Sequence, residues 1–118
     1  MNPVVTESVR DAIQGIHNYI STRIKADYIN RLLKVGFDII DTGSFVSDKA
    51  IPQLIDTAEV IRKLDLSGSR SKIMVLVANK RGIETAVAFS EISWLAFPYS
   101  VSPAFLKLNF CGRSLPFR

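Results

Sequence analysis

The apolar run IMVLVA at residues 73–78 decides the fold class, because it contains no polar side chain. A strand with one face in solvent alternates apolar and polar residues, whereas strands of a parallel sheet covered on both faces are continuously apolar. The run ends at Asn79 and is preceded by a polar connection at residues 67–71. Residues 73–78 are therefore predicted to form a buried strand of a parallel sheet.

Strand and helix patterns alternate on both sides of this run. Further strands are predicted at residues 4–6, 37–40 and 92–97. Further helices are predicted at residues 56–64 and 82–89, and another is predicted to begin within residues 102–108. With the helix described next, the order is β-α-β-α-β-α-β and the start of a helix. This order predicts an α/β fold with helices packed outside a parallel sheet.

The clearest helix lies between an N-cap at Ser21 or Thr22 and a terminating glycine at Gly36. Its apolar residues recur with helical spacing and are predicted to form the buried face. They are Ile24, Tyr28, Ile29, Leu32, Leu33 and Val35.

Four βα units form either an open doubly wound sheet or half of an eight-stranded barrel, and the pattern alone does not distinguish the two. No repeat, linker or low-complexity segment divides the chain. Residues 1–109 are interpreted as one unit, and residues 110–118 as a divergent tail without a clear period.

Composition excludes several classes of partner. Fifteen basic against eleven acidic residues give a net charge of +4, but the bases alternate with acids, and two of them lie in the acid-free tail. No nucleic-acid partner is therefore expected. No apolar run approaches the roughly 18 residues of a membrane span, so no membrane partner is expected. The single cysteine, Cys111, excludes an internal disulfide, and a cytoplasmic location is predicted.

Polar residues follow the first two predicted strands, where parallel α/β folds place their chemistry. Arg10 and Asp11 come shortly after the first strand, and the segment DTGS at residues 41–44 follows the second. From the residues alone, a solvated turn pair is the preferred interpretation of Arg10 and Asp11, and Ser44 can equally be a turn former. The pattern indicates that these residues lie at the same edge of the sheet, but it does not assign a reaction to them.

Four segments together resemble the hydroxymethylglutaryl-CoA lyases, a family of metal-dependent barrel enzymes. They are RDAIQ (10–14), DTGSFVS (41–47), IPQ (51–53) and VANKRG (77–82). The resemblance covers residues 4–109, less than half of a typical barrel of about 250 residues. It implies a parallel-stranded partial TIM barrel with about four of the eight βα units. Three positions depart from the family pattern, with Asp41 in place of glutamate, Ala12 in place of glycine and Asp48 in place of proline.

The resemblance implies a carbon–carbon lyase that cleaves an acyl-CoA substrate, hydroxymethylglutaryl-CoA, into acetoacetate and acetyl-CoA with Mg²⁺ or Mn²⁺. It implies that Asp11 is a metal ligand and that Arg10 stabilises the enolate. Asp41 is expected to be a second catalytic residue that orients Arg10 or contacts substrate. Gln14 and Ser44 are expected to bind substrate, although Gln14 is alternatively a surface glutamine.

The same resemblance predicts an incomplete site. His17 is the only histidine and cannot supply the family's later His-x-His metal pair, and Cys111 does not lie where the family's catalytic cysteine does. The chain is therefore expected to be truncated and inactive alone. The alternative is a non-catalytic half-barrel that forms a homodimer or pairs with a separately encoded C-terminal half. Residues 79–81 could face a CoA phosphate or water, and water is the favoured interpretation. Residues 68–72 are expected to be a connector.

Overall fold

The computed structural model describes residues 1–104. Four strands are present in this range: β1 (Thr6–Ser8), β2 (Ile39–Ser44), β3 (Lys72–Leu76) and β4 (Ile92–Ala96). The helices are α1 (Val9–Gln14), α2 (Thr22–Val35), α3 (Thr57–Arg62) and α4 (Lys80–Ala86), and a 3-10 turn spans Pro52–Leu54. Most of the helix predicted at 102–108, together with Cys111 and the tail at 110–118, lies outside the described residues.

The four strands form one parallel sheet in the order β1-β2-β3-β4. Each strand therefore lies beside the next strand in the chain, with a helical crossover between them. A doubly wound sheet contains a switch point where the strand order reverses, whereas a barrel continues in sequence. The order of the described strands is that of a partial barrel, which confirms the predicted fold class.

The helices cover one face of this sheet. On β3 and just beyond it, Ile73, Val75 and Val77 are each at most 1% exposed. They pack against buried residues of α2, α3 and α4. The intervening Met74 is only partly buried and lies opposite Trp94 of β4, which is 53% exposed. The prediction of burial on both faces was therefore wrong for the described residues, where the face without helices remains partly open.

The ends of α2 were predicted correctly because they depend on local chemistry. The Ser21 hydroxyl accepts a hydrogen bond from the Ile24 backbone N–H at 3.4 Å, and Gly36 adopts the left-handed conformation with φ of 92°. A residue with a side chain is strained in that conformation, so glycine is favoured at this helix end.

The face that α2 buries differs from the prediction. Ala26, Ile29 and Leu33 are buried, whereas Ile24 and Val35 are more than half exposed. Tyr28 is also exposed. The helix is rotated because Lys25 is buried to reach a carboxylate on the segment before α3. The spacing of the apolar residues alone does not predict this ion pair.

Two strand boundaries also differ from the prediction. β1 begins at Thr6, and Val4 and Val5 before it are exposed. β2 continues through the polar segment at 41–44, which was predicted to follow the strand. Pairing with β3 extends it, since Ser44 lies opposite Leu76 in the register after an irregularity at 41–43. No helix within residues 1–104 has the length and apolar character needed to cross a membrane.

Gly82 allows the first turn of α4 to lie against the segment after β2. A Cβ atom at Gly82 would lie 2.6 Å from the Phe45 carbonyl oxygen, which is a backbone atom and cannot rotate away. Gly82→Ala is therefore expected to lower the free energy of unfolding by about 1–3 kcal/mol, measured by chemical denaturation. Gly15 has no neighbour within 4 Å of the same position. Gly15→Ala is the control, with an expected change within about 0.5 kcal/mol. Equal effects of the two substitutions would contradict the packing argument.

Candidate active site

The candidate site begins where β1 runs directly into α1 (Val9–Gln14). Residues four apart on a helix lie on the same face, which brings Arg10 and Gln14 together. The Nη1 atom of Arg10 donates a hydrogen bond to Oε1 of Gln14 at 3.0 Å. This contact joins two of the predicted site residues and immobilises one end of the guanidinium group.

Asp41 of β2 holds the other side of Arg10. The parallel register places Ser8 opposite Asp41, so the end of β1 lies beside the third residue of β2. Nε of Arg10 donates to Oδ2 of Asp41 at 2.9 Å, and the Ser8 hydroxyl donates to the same oxygen at 3.0 Å. We call Ser8, Arg10, Gln14 and Asp41 the Arg10 cluster. Its contacts fix the guanidinium at two nitrogen atoms.

Asp41 lies in an unusual electrostatic environment. Its side chain is 3% exposed, and this burial raises its pKa. Arg10 and Ser8 act in the opposite direction and Asp11 raises the pKa further, so the net effect is a raised pKa. The second carboxylate oxygen, Oδ1, is buried without a hydrogen-bond partner among residues 1–104. This oxygen is available to accept a hydrogen bond or to bind a cation.

Asp11 lies beside the cluster but faces outward. Its side chain is 65% exposed, and Oδ1 lies 3.7 Å from Nη1 of Arg10. Residues 1–104 contain no group of three histidine, cysteine or acidic side chains that could hold a metal ion. Hard divalent cations take about six oxygen ligands, so Asp11 can be at most one member of a larger ligand set.

Ser44 has no contact with the Arg10 cluster in the described structure. Its hydroxyl accepts from the Val46 backbone N–H at 3.2 Å and lies 3.4 Å from the Leu76 carbonyl oxygen. These are contacts of a turn former, which was the alternative interpretation. A substrate-binding role for Ser44 remains a prediction.

The sequence analysis missed a buried network next to the cluster. Nζ of Lys25 lies 2.7 Å from Oδ1 of Asp56 and also donates to the Gln53 carbonyl oxygen. The ammonium group lies 4.4 Å from the centre of the Tyr19 ring. We call Lys25, Gln53 and Asp56 the Lys25 network. The sequence signal for this network was Lys25 itself, a lysine among the buried residues of α2. Its partner, Asp56, is distant in sequence.

Gln53 extends the network to the loop after α1. Its Nε2 donates to the carbonyl oxygens of Ile16 and Asn18 at 2.9 and 3.0 Å. Its Oε1 accepts from the Ile20 backbone N–H at 2.8 Å. One amide thus satisfies three backbone groups of the loop that follows Gln14.

Comparison with known proteins places these features in context. No family model matches the chain. Over 106 residues the chain is 36% identical to the mitochondrial hydroxymethylglutaryl-CoA lyase of Homo sapiens, covering 90% of the chain and 32% of that protein. It is 35% identical over 107 residues to the cytoplasmic 3-hydroxy-3-methylglutaryl-CoA lyase of Rattus norvegicus, covering 30% of that protein. The chain thus spans about a third of the length of these two curated relatives.

Solved structures give the same result. The HMG-CoA lyase of Brucella melitensis superposes with a TM-score of 0.82 and 32% identity, covering 94% of this chain and 39% of that one. The HMG-CoA lyase of Acinetobacter baumannii, solved in complex with coenzyme A and 3-methylmalate, superposes with a TM-score of 0.83 and 34% identity. The match covers 90% of this chain and 34% of that one.

The Lys25 network makes stability depend on pH in a defined direction. Burial alone raises the pKa of Asp56, but hydrogen bonds from Lys25, Thr22 and Tyr19 bring it below its ordinary value. A lowered folded-state pKa stabilises the fold above about pH 3.9, and this contribution is lost as the pH falls through the folded-state pKa. Asp56→Asn is expected to lower the free energy of unfolding at pH 7 by about 3 kcal/mol, because it leaves a buried ammonium group without its counter-ion.

The measurement is denaturant unfolding of wild type and Asp56→Asn from pH 7 down to pH 3. The difference between the two proteins should shrink below about pH 3.9. Asp41 titrates in both proteins, so its contribution cancels in the difference. The control is Asp27→Asn, which removes an exposed pair with Arg23 at 3.8 Å and should cost at most about 0.5 kcal/mol. A difference that stays constant with pH would exclude the assigned role of Asp56.

Proposed function

Because the chain is homologous in sequence and fold to part of the hydroxymethylglutaryl-CoA lyases, we propose that it carries the arginine-centred portion of a lyase active site. The observation that supports this most directly is the Arg10 cluster. An arginine 16% exposed is held by two side chains just after β1 ends, beside Asp41 of β2, towards the barrel edge that carries active sites. A solvated turn pair would not need two such contacts.

The proposed reaction is cleavage of hydroxymethylglutaryl-CoA to acetoacetate and acetyl-CoA. The tertiary alcohol loses its proton, the adjacent carbon–carbon bond breaks, and the electron pair passes to the thioester enolate, which is then protonated. Negative charge thus develops on the thioester oxygen. Arg10 is suited to that charge, because Nε and Nη1 are already held and Nη2 has no hydrogen-bond partner among residues 1–104. A donor fixed before the reaction stabilises the transition state without reorganisation.

Asp41 acts through Arg10 in this proposal. Its bond to Nε limits the guanidinium to one orientation, and Gln14 restrains the adjacent nitrogen. Asp41 is one methylene shorter than the glutamate that the family pattern favours. It nevertheless reaches Arg10 at 2.9 Å, so the departure does not remove the contact.

A divalent metal ion, Mg²⁺ or Mn²⁺, fits this arrangement as a group shared with residues beyond those described. The exposed carboxylate of Asp11 is a suitable ligand, and the unpartnered Oδ1 of Asp41 is a second oxygen near it. When bound, such an ion acidifies the substrate alcohol. Since one or two carboxylate oxygens do not complete the coordination, the 118 residues alone are proposed to be inactive.

The single cysteine, and cytoplasmic relatives such as the rat protein, support a cytoplasmic location, although mitochondrial lyases match as well.

A second candidate is a non-catalytic half-barrel that self-associates or pairs with a separate half. The exposed Trp94 and Leu95 on the edge strand β4 favour it, because such residues are usually covered. Sedimentation velocity of the purified chain tests this candidate, and a monomer at all concentrations with a cooperative melt would contradict it.

The lyase proposal predicts the behaviour of Arg10 in a complete barrel. In a chimera, residues 1–104 of this chain replace the matching region of the Brucella melitensis lyase. Acetoacetate formation by the chimera is measured with Mg²⁺. The chimera should be active, the 118-residue chain alone should not, and Arg10→Gln in the chimera should lower kcat at least about 100-fold. The control is Arg23→Gln, since Arg23 is 89% exposed on α2. A folded but inactive chimera, or full activity of Arg10→Gln, would contradict the proposal.

The raised pKa of Asp41 predicts that kcat of the same chimera depends on pH. Its raised pKa means that the carboxylate is protonated at a higher pH than an ordinary aspartic acid and then holds Arg10 less firmly. The kcat should therefore rise with pH through a value above about 3.9. Asp41→Asn should have a lower kcat and lose this acidic limb. An unchanged pH profile in Asp41→Asn would exclude the positioning role.

A further inference from the structure

Strand β2 contains one extra residue next to the Arg10 cluster. Asp41 lies opposite Met74 of β3. Gly43, two positions further along β2, lies opposite Val75, which is only one position further along β3. Thr42 is therefore an additional residue in β2, and the pairing is that of a β-bulge. Bulges are common next to active sites because they redirect the side chains around them.

The bulge brings Asp41 and Ser44 onto the same face of the sheet. Side chains of a regular strand alternate between the two faces, so residues three apart point in opposite directions. The residues opposite them on β3, Met74 and Leu76, are two positions apart and therefore share one face. The direction of the carboxylate that holds Arg10 is thus linked to the irregular pairing of β2.

Thr57, the first residue of α3, fixes this irregular segment. Its Oγ1 accepts a hydrogen bond from the Ser44 backbone N–H at 3.1 Å and donates to the Leu54 carbonyl oxygen at 2.7 Å. Gly43 allows this approach, since a Cβ atom at Gly43 would lie 2.6 Å from Cγ2 and Oγ1 of Thr57. Thr57 is 4% exposed, so these contacts are shielded from water.

The Thr57 hydroxyl replaces a partner that the sheet does not provide. The Phe45 N–H donates to the Leu76 carbonyl oxygen of β3, so the N–H of Ser44, the preceding residue, points to the other side of β2. On that side β1 has already ended. A buried N–H without a partner is costly, so removal of the Thr57 hydroxyl disfavours the bulged pairing.

The beginning of α3 is itself held in place by the Lys25 network. Asp56, the residue before Thr57, forms the ion pair with Lys25 at 2.7 Å. The Leu54 carbonyl that accepts from Thr57 belongs to the 3-10 turn at Pro52–Leu54. Thr57 is therefore anchored on the side away from β2.

We propose that Thr57 is a positioning residue for the lyase reaction, which holds the bulge of β2 and thereby keeps the Asp41 carboxylate against Arg10. The proposal rests on the proposed function, since that function supplies the role of Arg10. No hydrogen bond joins Thr57 to Arg10 or Asp41 within residues 1–104, so Thr57 acts through the backbone of β2. A misplacement of about 1 Å costs a reaction about 100-fold in rate, so a relaxed bulge is measurable in kcat.

The first test is kinetic and uses the chimera with the Brucella melitensis lyase. Thr57→Val keeps the shape of the side chain and removes the hydroxyl, whereas Thr57→Ser keeps the hydroxyl. Thr57→Val should lower kcat at least about 10-fold and change KM at most about 2-fold, because Arg10 acts on charge that develops in the transition state. Thr57→Ser should retain most of the wild-type kcat.

The matched control is Ile61→Val on the same helix. Ile61 is 1% exposed and packs against Val75 and Val77, so the substitution loosens the core without removing the Thr57 hydroxyl. Its kcat should equal that of the wild-type chimera. Equal losses of kcat in Thr57→Val and Ile61→Val would overturn the proposal, because general destabilisation would then account for both.

The second test needs no catalysis and uses the 118-residue chain. The Nε–H group of Arg10 is bonded to Asp41, and its proton exchanges slowly with water while that bond persists. NMR of the arginine side chains measures this exchange, and Arg10→Gln identifies the signal by its loss. Exchange should be at least about 10-fold faster in Thr57→Val and close to wild type in Thr57→Ser and Ile61→Val.

The outcomes separate this proposal from the lyase function. Either a wild-type kcat or a wild-type exchange rate in Thr57→Val would overturn the role of Thr57. If Thr57→Val does not fold, Gly43→Ala takes its place, because the added methyl group pushes Thr57 away from β2, and the same two results are required. An inactive wild-type chimera would contradict the lyase function, and the exchange rates would then support or overturn the action of Thr57 on Arg10 separately.

Discussion

A buried ammonium group is tolerated only when it is paired and hydrogen-bonded, and Lys25 imposes that constraint on this fold. Satisfying it at Asp56 determines how α2 is rotated against the sheet. It also brings the 3-10 turn at Pro52–Leu54 against α2, because the Gln53 carbonyl accepts from the same ammonium. Gln53 then anchors the loop that follows α1. The orientation of Arg10 therefore depends partly on an ion pair that lies outside the candidate site.

Asp11 and Asp41 illustrate how the environment gives two identical side chains different properties. Asp41 is buried, is engaged by Arg10 and Ser8, and has a raised pKa. Asp11 is largely exposed and has only a long contact with Arg10. The first is suited to fixing another side chain, and the second to meeting a group that arrives from outside. This division follows from their positions, since one lies within a strand and the other on the outer face of a short helix.

The parts of the fold that depend on local chemistry could be predicted from the sequence. Ser21 and Gly36 identified the ends of α2, and the apolar run at 73–78 identified β3 within two residues. The proximity of Arg10 and Asp41 followed from strand ends meeting at one edge of a parallel sheet. The choice between a barrel and a doubly wound sheet was made by resemblance, because periodicity contains no information on strand order.

What could not be predicted depends on partners distant in the chain. The rotation of α2 required the Lys25–Asp56 contact, which spans 31 positions. The extension of β2 through Ser44 required its pairing with β3, and the position of α4 required Gly82 to lie against the carbonyl of Phe45. In each case the local sequence was compatible with more than one arrangement. Contacts across the fold selected the one that is present.

Trp94 is the only tryptophan in the chain, and it lies half-exposed on the sheet face that the described helices leave uncovered. An indole in water emits at longer wavelength than one in an apolar environment. The intrinsic fluorescence of the chain therefore reports on a single location, without a label and without interference from a second emitter of the same kind. Any segment or partner that closes over this face would shift the emission maximum to shorter wavelength. The time course of that shift would give the rate at which the barrel interior forms.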